Sequence, residues 1–143
     1  MAKRVRVRLL PEWADYSHTN PGGPPAYYRR GNDQANALQI SWAWYTGGKE
    51  PRPSDETLIE LASHALARVE GFKLRSTACG SCTIGRFGTA VSLSTEFPRL
   101  QSWYLSNGLD FVIVTYICEV KPTETEITEV QQIVEALAIG HGG

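Results

Sequence analysis

The segment Leu100–Cys118, LQSWYLSNGLDFVIVTYIC, constrains the fold more than any other part of the chain. Asn107-Gly108 between two β-prone runs is the strongest short-range hairpin signal, because a type I′ turn needs positive φ at both central residues. A two-residue turn there pairs Ser106 with Leu109, Tyr104 with Phe111 and Trp103 with Val112. One face of the ribbon then carries Leu100, Tyr104, Leu109, Phe111, Ile113 and Ile117. The other carries Trp103, Leu105, Val112, Val114, Tyr116 and Cys118. A sheet with one wet face alternates apolar and polar residues, and this ribbon does not. It belongs in the middle of a sheet covered on both sides.

The flanking sequence supplies the cover. KRVRVRLL alternates strictly, with Arg4, Arg6 and Arg8 opposite Val5, Val7 and Leu9, and reads as a first strand ended by Pro11. Residues 11–35 form a long connection rich in Pro, Gly, Asn and Asp, a length that is usually functional or floppy. A second strand, ALQISWAW, places Leu38, Ile40, Trp42 and Trp44 on one face, which reads as core packing. Ser54 is an N-cap for a helix over DETLIELASHALARVE, whose stripe is Leu58, Leu61, Ala62, Ala65, Leu66 and Val69, with Gly71 as the stop. Two further strand runs flank Gly80-Ser81, a pair suited to a tight turn, and Gly85 and Gly88 mark a bulge or bend in the second. Thr123 with Glu126 fits a capping box for a closing helix with stripe Ile127, Val130, Ile133, Val134 and Leu137, ended by Gly140 and a fraying HGG. The reading is one α+β domain over residues 1–143: a mostly antiparallel sheet of about six strands with a helix on each face, an α/β/α sandwich.

The order of elements resembles the PsbP-like sandwich superfamily, which includes a photosystem extrinsic subunit, a Ran-binding nuclear transport factor and bacterial DcrB-like proteins. The features shared are an opening strand running into LPEW (Leu10 to Trp13), a Pro-containing loop before a second strand and helix, the late hairpin WYLSNGLDFVIVTY and the acidic helix QQIVEALAI. The resemblance implies a non-catalytic binding or adaptor module and carries no universal catalytic residues.

Composition excludes some roles. A net charge of −1 lacks the basic excess of a nucleic-acid binder. No run approaches the length of a membrane span, the N-terminus lacks a signal-peptide core, and three cysteines leave a disulfide framework incomplete. A reducing cytoplasm is the expected compartment. Cys79-Gly80-Ser81-Cys82 is a C-x-x-C, but a zinc site needs two more ligands and a redox pair normally opens a helix. Small residues at a turn are the expected role, with no metal and no cofactor.

The candidate binding residues are His18, Tyr27, Tyr28, Arg29 and Arg30 in the 11–35 connection, together with Arg86. Tyr and Arg are enriched at binding hot spots, and Arg clamps carboxylates or phosphates. The plainer reading is a loop pinned to the body by its tyrosines with solvated arginines. Arg4, Arg6 and Arg8 serve as edge guards. Glu119, Glu124, Glu126 and Glu129 complement the last helix's dipole. No catalytic motif such as a P-loop, G-x-S-x-G or H-E-x-x-H is present. The expected function is a non-catalytic module that binds another bacterial protein as adaptor, chaperone or immunity partner, without nucleic acid or membrane. The alternative is a small-molecule-binding domain or enzyme with its site beneath the 11–35 connection.

Overall fold

The computed structural model describes residues 3–17, 23, 25–31 and 35–141. The Asn-Gly corner joins two central strands, β7 (Arg99–Ser106) and β8 (Phe111–Cys118). Their register is Ser106 opposite Phe111, Tyr104 opposite Ile113 and Trp103 opposite Val114. The two-residue turn expected from the sequence is therefore a four-residue corner over 107–110. Asn107 causes this: its side-chain oxygen accepts the N–H groups of Leu109 (2.9 Å) and Asp110 (2.8 Å), and Gly108 alone takes a positive φ, 100°. The shift is two residues per pair, an even number, so each side chain keeps its expected face.

Outward from β8 lie β4 (Asn36–Ala43), β3 (Ala26–Arg29) and β2 (Trp13–Asp15). Outward from β7 lie β6 (Arg86–Leu93) and β5 (Lys73–Ser81), which completes an antiparallel seven-stranded sheet in the order β2-β3-β4-β8-β7-β6-β5. The long 11–35 connection thus contributes two short strands of its own. The hairpin turn expected at Gly80-Ser81 sits further on, at residues 82–85, where the Cys82 N–H donates to the Gly85 carbonyl at 3.0 Å. Gly85 is required by close approach, since a Cβ there would lie 2.6 Å from the Ser106 carbonyl oxygen.

Helix α1 (Asp55–Leu66) is capped by Ser54, whose side chain accepts the Thr57 N–H. It packs on β5, β6 and β7. Gly88 makes that seat, because a Cβ there would meet the Leu58 carbonyl carbon at 2.5 Å. Ala62 and Leu66 pack with Ala90 and Leu100 on this face. Helix α2 (Glu124–Glu135) covers the opposite face, with Val130, Ile133 and Val134 against Trp103, Leu105, Val112, Val114 and Tyr116. The cover is asymmetric. On the α1 side, Phe111, Ile113, Thr115 and Ile117 of β8 are only half-buried, since the helix stands over the other half of the sheet.

Two expectations fail at the termini. The first strand, β1 (Lys3–Arg6), does not join the main sheet; it pairs antiparallel with β9 (Ala138–His141). The closing helix does not run to Gly140 but stops at Glu135, and Leu137 is buried as the chain leaves it. A strand with one wet face needs a partner, and Ala138–His141 provides it while Val5, Val7 and Ile139 pack on the core. Gly140 serves this ribbon rather than a helix end, since a Cβ there would run into the Arg6 guanidinium.

Candidate interaction edge

The loop residues singled out by sequence are placed as follows. Tyr27 is buried in the core, and burial, then the neighbouring Asp15 carboxylate, push its phenol up. Tyr28 points to the other face and meets Tyr16 edge-on at 5.3 Å between ring centres. Arg29 is committed: its Nε donates to Glu129 of α2 at 2.7 Å. The same carboxylate accepts the Trp13 indole N–H at 3.1 Å. Arg29 and then burial, opposed by Trp13, set the Glu129 titration, and the carboxyl lies below its ordinary range. Arg30 is exposed, and its backbone N–H donates to the Glu12 carbonyl at 2.7 Å. His18 lies outside the described residues. Arg86 stands apart, with β4, β8 and β7 between its strand and β3. It grips Asp55 through Nε (3.1 Å) and Nη2 (2.7 Å), and Ser81 through Nη1 (2.9 Å). The structure therefore gathers Tyr27, Tyr28, Arg29 and Arg30 at one end of the sheet and excludes Arg86 from them.

The acidic residues expected only to serve the α2 dipole do more. Glu126 is buried, accepts the Asn36 amide at 2.9 Å and is hydrogen-bonded by the Tyr116 hydroxyl. Asn36 in turn accepts the Val120 N–H at 3.2 Å. Burial, and then the bond to Glu126, push the Tyr116 phenol far up, and burial raises the Cys118 thiol to about 12. These groups lock α2 to the sheet in their neutral or paired forms. No signal in the sequence marks Asn36 and Glu126 as partners, because 90 residues separate them.

All three cysteines carry free thiols. Cys79 is exposed on β5, while Cys82 is half-buried in the turn and its thiol is raised by burial, against the two backbone hydrogen bonds that lower it. A raised thiol is the opposite of what an attacking or metal-binding cysteine needs. Among the described residues, no group of three or more His, Cys, Asp or Glu side chains gathers where a metal ion could sit.

Trp42 and Trp44, expected in the core, are not there. Trp42 is 42% exposed and stacks on Trp44 at 6.0 Å. β3 pairs only as far as Gln39, so the last residues of β4 extend past the neighbour that would enclose them. Beside them Lys3 reaches the buried Asp110 at 2.9 Å and lies 6.0 Å from the Trp44 ring. Burial works against ionisation of Asp110, but the Tyr45 N–H, Lys3 and Asn107 outweigh it, and the carboxyl lies below its usual range.

The most open backbone in the sheet is β5. Its nine residues KLRSTACGS lie at the edge, and every one from Lys73 to Cys79 is exposed. An edge strand presents unpaired N–H and C=O groups, a template for another extended chain. Natural sheets blunt such edges with charge and bulges. Here both devices sit at one end: Lys73, Arg75 and a break in register between Leu74 and Ser76. From Ser76 to Ser81 the strand carries small, uncharged side chains only. Behind it, α1 packs against the strand, and the exposed Asp55–Arg86 pair reaches its last residue, Ser81.

No protein-family model matches the chain, and no curated protein matches it. Solved structures do. One is LpqN, involved in cell envelope biogenesis of Mycobacterium tuberculosis, at 12% identity and a TM-score of 0.68 over 96% of this chain and 84% of that one. Another is the cyanobacterial PsbP (CyanoP) of Synechocystis sp. PCC 6803, at 10% identity and a TM-score of 0.57 over 96% and 92%. Likeness at such identities speaks to architecture alone. The chain has the PsbP-like fold.

Proposed function

We propose that this protein is a non-catalytic binding module that recruits an extended segment of another protein by strand addition to β5. The observation that carries the reading is the exposed nine-residue edge, uncharged from Ser76 onward and backed by α1. Strand addition draws affinity from main-chain hydrogen bonds and specificity from alternate side chains. On this edge the alternate positions are Ser76, Ala78 and Gly80 towards the α2 face and Thr77, Cys79 and Ser81 towards the α1 face. Small side chains on both faces let an incoming backbone approach without a clash. The free thiols of Cys79, Cys82 and Cys118 support placing this activity in a reducing cytoplasm. No helix among the described residues is long and apolar enough to cross a membrane.

A second reading puts the contact at the 11–35 connection, and the half-buried Tyr28 beside the exposed Arg30 favours it. The two are separable in one affinity-capture series. Pro lacks an N–H, and in an antiparallel edge strand alternate N–H groups point outward. Thr77→Pro and Ala78→Pro therefore differ: one removes a bond to β6 and the other removes only an outward donor. The variant that keeps its circular dichroism and melting temperature should lose the partner that wild type retains, while Arg30→Ala keeps it. Retention by the folded proline variant and loss in Arg30→Ala would move the site to the loop.

A further inference from the structure

A cavity of about 370 Å³ opens on the α2 face between the start of α2 and the β5 edge. Three cations line it, Arg75 of β5, Arg99 of β7 and Lys121 just before α2, against a single carboxylate, Glu124. Among the described residues none of the three cations makes an ion pair, whereas Lys3, Arg29, Arg52 and Arg86 each meet a carboxylate. Arg99 is the informative one. Its Nη2 donates to the Gln101 side chain at 3.0 Å, but its Nε–H is buried and finds no acceptor in the protein. Burying a charged donor without an acceptor is costly, and the guanidinium gains one by turning its buried Nε edge towards an anion in the cavity. Leu93 and Ile127 add apolar wall.

We infer that this cavity binds a phosphate monoester carried on a small apolar body. Three positive groups against one negative leave an excess of two charges, which a phosphate monoester matches once its second proton is lost near pH 6. The planar guanidinium of Arg99 suits the phosphate oxygens, and Lys121 and Arg75 close around them. This site is independent of strand addition at β5, although Arg75 belongs to both regions.

The test is an NMR titration of the ¹⁵N-labelled protein at about pH 7.5, following the Arg99 Nε–H signal with phenyl phosphate, inorganic phosphate and benzoate as probes. Phenyl phosphate should give a saturable shift, with inorganic phosphate weaker for want of the apolar contact and benzoate about tenfold weaker for want of the second charge. The Arg75→Gln/Lys121→Gln pair, both exposed and able to change without touching the core, should abolish saturation while the rest of the spectrum stays in place. Lowering the pH to about 5.5 should weaken phenyl phosphate and leave benzoate unchanged. A shift that never saturates, a shift unaltered in the double variant, or equal affinity for benzoate and phenyl phosphate would each overturn the assignment.

Discussion

At one end of the sheet β2 spans three residues, and at the other β5 spans nine. The short edge is strapped down: the Trp13 indole and the Arg29 guanidinium share the Glu129 carboxylate of α2, and Trp13 is buried. On the long edge the Asp55–Arg86–Ser81 contacts reach only the last residue, and the side chains from Lys73 to Cys79 stand in solvent. Both belong to one sheet and face the same aggregation hazard. The comparison teaches that the chain spends polar partners on closing one edge and leaves the other available, and the long edge is the place to look for a partner.

The contrast can be broken in graded steps. The largest effect is expected at Gly88→Ala, which forces a methyl group into the Leu58 and Ile59 backbone and lifts α1 off the strands behind β5. Overpacking of this kind costs about 3 kcal/mol, read as a lowered urea midpoint. Next comes Glu129→Ala, which leaves the Trp13 indole N–H without its acceptor and Arg29 without its carboxylate. A loss of about 2 kcal/mol is expected, with faster hydrogen exchange in β2 and β3 and no change in β5.

A pH experiment sharpens the same contrast. The folded Glu129 carboxyl titrates below its ordinary value, chiefly through its bond to Arg29. Its stabilisation is therefore complete above the unfolded-state value and fades as pH falls through the folded one. Between about pH 6 and about pH 3, wild type should lose more stability than Glu129→Gln, and the excess should appear as opening of the β2 edge. Smallest of all is Asp55→Asn beside β5: the Asp55–Arg86 pair is solvent-exposed, and thermal melts of the variant should overlay wild type.

Much of this architecture was legible in the sequence, and the failures have physical causes. The central hairpin and its two apolar faces follow from Asn107-Gly108 and the period of two. The corner was two residues too tight because the Asn107 side chain captures two N–H groups, a choice that residue type alone does not settle. VEALAIG carries a helical stripe, yet residues 138–141 form a strand, because β1 needs a pairing partner and tertiary demand outweighs local preference. The alternation in β4 is real up to Ile40, but it cannot show that β3 stops short and leaves Trp42 in solvent. The candidate site was less visible. Arg29, expected to meet a carboxylate or phosphate of a partner, meets the Glu129 carboxylate of its own chain. The β5 edge was hidden altogether, since a run of small β-prone residues does not announce whether its strand ends central or outermost.

Amide hydrogen exchange along residues 73–81 of the free protein tests the central claim most directly. An open edge predicts alternation: amides that bond to β6 exchange slowly, those facing outward exchange as fast as loop amides, and the outward set becomes protected when a partner strand binds. Uniform protection along the whole segment in the free protein, equal to that of β7, would contradict the account, because the edge would then already be covered.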